Sequence, residues 1–166
     1  INFSNATILA STVNTATING GAGADSIILS TYTAATSSRA GVISGNFLAN
    51  IAGVDSGDVI RFNNTQGAAA TANWLGQTQI YIGANAAAIT TAVTSGVGSI
   101  AVYASGDDMV VAIKAGSNAQ SAYVQFQVIG GATMIKTTAT GAVTMNSSNF
   151  GFSVGSVSNA IGLTFA

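Results

Sequence analysis

The chain has no cysteine, proline or histidine in 166 residues. Without cysteine there is no disulfide framework and no thiolate site. Without histidine, the side chain that most often serves as a general base near neutral pH is missing. Charge is almost missing as well, at 5% of residues, where ordinary soluble domains carry roughly 25%. The only acids are Asp25, Asp55, Asp58, Asp107 and Asp108, and the only cations are Arg39, Arg61, Lys114 and Lys136. Four scattered cations cannot neutralise a phosphate backbone, which argues against nucleic acid as a partner. A net charge of −1 leaves almost no long-range field, and proteins so close to neutrality tend to associate rather than repel.

Mean hydropathy is +0.50, but Ser, Thr, Asn or Gly interrupts every apolar run. No run approaches the ~18 apolar residues of a spanning helix, so membrane insertion by helices is not expected. Catalytic groups are equally scarce. A serine nucleophile would need Lys114 or Lys136 as its base, and neither lies in a Ser-x-x-Lys arrangement. No catalytic or organic-cofactor residue is assigned, and the expectation is a non-enzyme. The chain opens at Ile1 with no methionine and no basic-then-apolar leader, so it is read as a processed chain or an excerpt of a longer one.

What is present is β-forming sequence punctuated by turns. At 166 residues the length suits one domain, able to bury about 70% of its unfolded surface. Residues 6–18 are rich in Thr, Val and Ile, which favour pleated surfaces. Further strands are expected at 26–31, 41–44, 59–62 and 79–82, and residues 46–51 fit either a strand or a helical turn. Asn85 is placed to cap one short helix over 86–93. The clearest pattern runs from 100 to 128, where apolar residues alternate around the turns Ser105-Gly106-Asp107-Asp108 and Gly116-Ser117-Asn118-Ala119. This predicts an antiparallel meander burying Ile100, Val102, Met109, Val111, Val124, Phe126 and Val128 on one face. Phe150, Phe152 and Phe165 are candidate core anchors in the tail. The predicted fold class is all-β, a β-sandwich or a β-roll passing into an antiparallel sandwich, with at most one short helix. One β domain over 1–166 is expected, with a strand and glycine-rich Asp loop in 1–31 and an antiparallel β core in 41–166.

The stretch Asn19-Gly20-Gly21-Ala22-Gly23-Ala24-Asp25 stands out chemically. Glycines open positive-φ conformations and expose carbonyls in a tight loop. An aspartate just after them can join those carbonyls around a hard cation. The expected metal is calcium, with Asp25 as the side-chain ligand and Gly20, Gly21 and Gly23 supplying carbonyls. A glycine-rich turn leading into a strand is the plain structural alternative. Calcium takes about six to eight oxygens, so one aspartate fills only part of a shell. The complement is expected from a neighbouring turn lying upstream of residue 1, in another subunit, or nowhere. Asp55 and Asp58 read as turn formers, with calcium as the second option, and Asp107 and Asp108 as hairpin-turn residues. Trp74, Tyr81, Tyr103 and Tyr123 fit strand packing or, alternatively, the lining of a glycan groove. The triplets starting at Asn5, Asn63 and Asn146 match the glycosylation pattern, as Asn-rich chains do by chance.

The loop matches one copy of the Gly-Gly-x-Gly-x-Asp-x-apolar-x nonapeptide of calcium-binding β-rolls. Asn46-Phe47, Asp58-Val59-Ile60-Arg61-Phe62 and the Gly106 to Ile113 phrase follow in order. Together these resemble the C-terminal region of RTX-type proteins exported by type I secretion. The Ala, Gly, Thr, Ser and Asn bias is similar to surface-layer and biofilm-matrix members of that group. Asn46 stands where that group carries aspartate. The resemblance implies secretion, a location outside the cell or on its surface, and calcium binding.

Two functional classes follow. One is a structural, self-assembling subunit of an extracellular surface layer, matrix or filament. The other is a calcium-binding, secretion-associated C-terminal module of a larger exported adhesin or enzyme. The expected partner is the chain itself as a homo-polymer, with cell-surface polysaccharide as a further candidate. Residues 6–18 and 154–166 are free of charge and proline and lack the devices that blunt an exposed edge. Strand donation between subunits, by the N-terminal strand above all, is therefore expected unless each end is covered within its own fold.

Overall fold

The computed structural model describes residues 16–30, 49–63, 78–95, 100–114, 123–157 and 160–166. Eleven strands and one α-helix are found there: β1 (Ala16–Asn19), β2 (Ser26–Ser30), β3 (Ala49–Ala52), β4 (Val59–Asn63), β5 (Gln79–Ile82), α1 (Ala86–Ser95), β6 (Ile100–Ser105), β7 (Asp108–Lys114), β8 (Tyr123–Val128), β9 (Gly141–Thr144), β10 (Phe152–Val157) and β11 (Ala160–Phe165). They form a seven-stranded sheet in the order β1-β3-β8-β7-β6-β5-β9 and a four-stranded sheet in the order β10-β11-β4-β2. The fold is the expected all-β sandwich with one short helix.

Period-two alternation sends one set of side chains from each sheet into a shared core. Ile18, Ile51, Val102, Met109, Val111 and Phe126 come from the larger sheet, and Ile27, Ile60 and Leu163 from the smaller. Ile100 and Val128 join them, so the meander buries the face expected of it; the Val124 side chain lies outside the described residues. Phe150, Phe152 and Phe165 are buried as anticipated, with ring centroids 5.3 Å apart for the first pair and 5.8 Å for the second. The tail reaches them by a 3-10 turn at Gly131–Met134 and a bridge between Ile135 and Phe150.

The expected antiparallel core is in fact mixed. β6, β7 and β8 form the predicted antiparallel meander, but β1–β3, β3–β8, β2–β4 and β5–β6 are parallel. Parallel neighbours need a crossover, and α1 supplies one between β5 and β6. The pairs β1–β3 and β2–β4 are parallel because the chain follows the same strand-turn-strand path twice, one coil on the other. Residues 16–30 therefore belong to the same two sheets as 49–63, so the split between a loop unit and a later core does not appear.

The helix explains why the meander has a second buried face. Asn85 caps it as predicted, its Oδ1 accepting from the Ala88 N–H at 3.0 Å. Ile89, Ala92 and Val93 pack on Ala101, Val110 and Ala112, which project from the outer side of the large sheet. Alanines let the helix come close, and Gly83 does the same, since a Cβ there would stand 2.6 Å from Ile89 Cγ2. Gln125 ties the layers, its Nε2 donating to Thr90 Oγ1 at 3.4 Å.

Ile89→Ala removes a fully buried side chain from this layer and is expected to cost about 2–5 kcal/mol in urea unfolding. Asn85→Ala should cost about 1 kcal/mol. A cost near zero for Ile89→Ala would mean that the helix does not hold the sheet.

Candidate functional site

The two coils meet most closely at their turns. Ile18 sits beside Ile51 and Ile27 beside Ile60 in the strand registers. The residues between follow suit, so Gly20 lies over Gly53 and Asp25 over Asp58, at a sequence separation of 33. The shared pattern is Ile-x-Gly-x-x-x-x-Asp-x-Ile. At the entry, the Gly20 N–H donates to the Ala52 carbonyl at 3.0 Å, and at the exit the Val59 N–H donates to the Asp25 carbonyl at 2.8 Å. The neighbouring turn is thus downstream in the same chain, which corrects the expectation that it would lie upstream of residue 1, in another subunit, or nowhere.

Asp58 is the joint. It is fully buried, with Oδ1 accepting from the Asp25 N–H at 2.7 Å and Oδ2 from the Asp55 N–H at 2.9 Å. One carboxylate therefore closes its own turn and clamps it to the turn of the other coil. The end of β11 braces the same place: the Phe165 N–H donates to the Asp58 carbonyl, and the Gly57 N–H to the Phe165 carbonyl. Gly57 has φ +97°, and a Cβ on it would be 3.3 Å from that of Ala24, so only glycine suits both the turn and the stacking.

A small polar space lies inside the joint. A Cβ added to Gly20 would come within 2.9 Å of the Gly53 carbonyl oxygen, 3.5 Å of Asp58 Oδ2 and 3.7 Å of Asp25 Oδ2. Asp25 Oδ2 is buried and has no hydrogen-bonding partner among the described residues. Two carboxylate oxygens and a carbonyl thus converge where a side chain on Gly20 would otherwise stand. Such a donor set suits a hard cation, which prefers oxygen ligands in flexible geometry. The described residues contain no group of three or more acidic, cysteine or histidine side chains fit for a metal. Carbonyls and water would therefore have to complete any shell.

Of the residues expected to hold metal, Asp25 and Gly20 lie at this space. Gly21 and Gly23 are exposed, with φ +90° and +109°, and a Cβ on either would meet nothing within 4 Å. Their glycine character is explained by the turn itself. Sequence reading treated Asp58 first as a turn former and gave it no link to Asp25. The signal that joins them is the repeated Ile-Gly-Asp-Ile spacing. Asp55 is exposed.

Asp107 and Asp108 behave as hairpin residues. Asp108 Oδ1 accepts from the Gly130 N–H at 2.8 Å and Oδ2 from Gln127 Nε2, while the Asp107 carbonyl accepts from the Ala132 N–H. Tyr81 and Tyr103 pack beside the helix cluster as strand aromatics. Trp74, Asn46, Phe47 and the Tyr123 side chain lie outside the described residues.

Asp58→Ala leaves the Asp25 and Asp55 amides without their acceptor and should cost about 3 kcal/mol or more, since a hydrogen bond to a charged group contributes roughly 1.5–3 kcal/mol. Asp55→Ala, at an exposed position, should stay within about 0.5 kcal/mol. Equal urea midpoints for the two variants would remove Asp58 from its role as the joint.

No family model, curated protein or solved structure matches this chain.

Proposed function

We propose that the protein is a structural, self-assembling subunit of an extracellular layer, matrix or filament, and that calcium fastens its stacked turns. The observation that carries this reading is the bare end of the sandwich. Among the described residues, both sheets terminate on the same coil, β1 and β2, whose residues bear no charge and no proline. An edge without those devices pairs readily with another chain. The charge-poor composition points the same way, because little long-range repulsion opposes close packing of copies.

Donation of a chain end is revised by the fold. Residues 16–19 of the expected N-terminal donor strand are paired with β3 in their own chain, and residues 6–15 lie outside the described set. In the tail, β11 is enclosed between β10 and β4. Association is accordingly assigned to strand edges rather than to a released tail.

The convergence of Asp25 Oδ2, Asp58 Oδ2 and the Gly53 carbonyl also favours a second reading, a calcium-binding, secretion-associated module of a larger exported protein. One experiment separates the two. The purified chain is followed by light scattering and electron microscopy with calcium and then with chelator, and calcium uptake is measured by titration calorimetry. Ordered polymers that chelator loosens support the first reading. A monomer that binds calcium supports the second. Asp25→Ala and Gly20→Ala should each abolish uptake, the first by removing a ligand and the second by filling the space. Uptake unchanged in both would overturn the calcium assignment.

A further inference from the structure

The molecule has one flat end and one stepped end. At the flat end, β1 and β2 are the terminal strands of their sheets, and the turn at residues 20–25 joins them into a single coil. Counting outward from that coil, one sheet has seven strands and the other four. With strands about 4.8 Å apart, the far edges β9 and β10 are out of step by roughly 14 Å.

The backbone of the flat end is directed outward in part. In a parallel ladder, alternate residues turn both their N–H and C=O toward the same neighbour. The Gly20 N–H reaches Ala52, so Ile18 also faces β3, while Thr17 and Asn19 face away. The Asp25 carbonyl accepts from Val59, so Ile27 also faces β4 and Ile28 faces away. Among the described residues, no strand lies on the outer side of either β1 or β2.

We infer that this coil end is a homotypic interface, at which two copies of the chain pair the β1 and β2 edges antiparallel about a two-fold axis. The inference rests on the proposed self-assembly and names its surface and partner. A partner must offer two level, uncharged edges at once, one for each sheet. The stepped end of a second copy can meet only one of them. The other coil, residues 49–63, is enclosed between the first coil and β8 and β11. The surface of this chain that matches the flat end is therefore the same flat end on a second copy. Such a contact is isologous, the same patch on both partners. It continues both sheets across the joint, much as each coil continues them within the chain. Charge does not oppose it, since the one acid of the coil, Asp25, turns a carboxylate oxygen into the buried joint. Growth beyond pairs uses a second surface.

The test uses the full chain with Thr17→Lys, which adds a charge at an exposed position of β1, and Thr17→Pro, which removes an outward N–H. Sedimentation velocity is run over a range of concentrations, and urea unfolding checks the fold. The wild-type chain should form pairs, and a variant keeping the wild-type urea midpoint should pair about ten-fold more weakly or worse. Wild-type association undiminished in both folded variants overturns this interface while leaving self-assembly intact through another surface. A wild-type chain that stays monomeric at every concentration overturns both. Should both variants lose stability, the edge N–H and the Thr17 side chain serve the fold of the single chain, and the interface assignment is withdrawn.

Discussion

The structure depends on a fully buried carboxylate that no cationic side chain is seen to neutralise. Asp58 sits where two turns cross between the sheets, and its oxygens take amides from both. A buried charge is tolerated only when its lone pairs are well used, and charge-assisted bonds to backbone N–H groups do that effectively. Here they also fix a register. If the coils slipped by one residue, the carboxylate would lose the Asp25 amide, and Ile18 and Ile27 would swing out of the core. The polar joint and the apolar core thus select the same alignment. Agreement of that kind lets a chain with so few charges settle on one arrangement of its first two coils.

Small residues set the second constraint. The large sheet is buried on both faces in its middle, by the sandwich core on one side and by α1 on the other. Parallel strands flanking a helix are expected to be covered in this way. The outer face is read by Ala101 and Ala112 and the inner one by Ile100, Val102, Met109 and Val111. Size thus alternates along β6 and β7 while hydrophobicity hardly does. Alanine is apolar enough to be covered and short enough to let a helix axis approach, with Gly83 clearing the space in front of Ile89.

This alternation in size also marks what could be read in the sequence. The meander, the helix and its Asn85 cap, and the three phenylalanine anchors were legible because each rests on local pattern: period two, a capping side chain, a large ring in a polar tail. The second face of the meander was harder to see, because Ala101 and Ala112 give a weak signal beside Val and Ile. The parallel pairings were hidden for a different reason. Parallel contacts join residues far apart in sequence and leave no turn between them to read. Asp25 and Gly20 were found at the site from the glycine loop alone. Asp58 was seen only as a turn residue, because its role appears when the two Ile-Gly-Asp-Ile runs are laid over each other. Their intervening residues are Gly-Ala-Gly-Ala in one turn and Val-Asp-Ser-Gly in the other, so composition conceals the match.

On the proposed reading, the cation and the edge are coupled by the same few residues. An ion held by Asp25, Asp58 and the Gly53 carbonyl is held only while the two turns are stacked. Binding of that kind stabilises the stacked state over one in which the first coil has frayed, by an amount that grows with ion concentration. The first coil is also the surface assigned to pairing, and frayed strands present no regular edge. Calcium would then strengthen association without touching the interface, and association would strengthen calcium binding by the same factor. The coupling needs no conformational change beyond the fraying of one coil. Its size is bounded by how often that coil opens without the ion, because an edge already held firmly by Asp58 leaves the cation little to add.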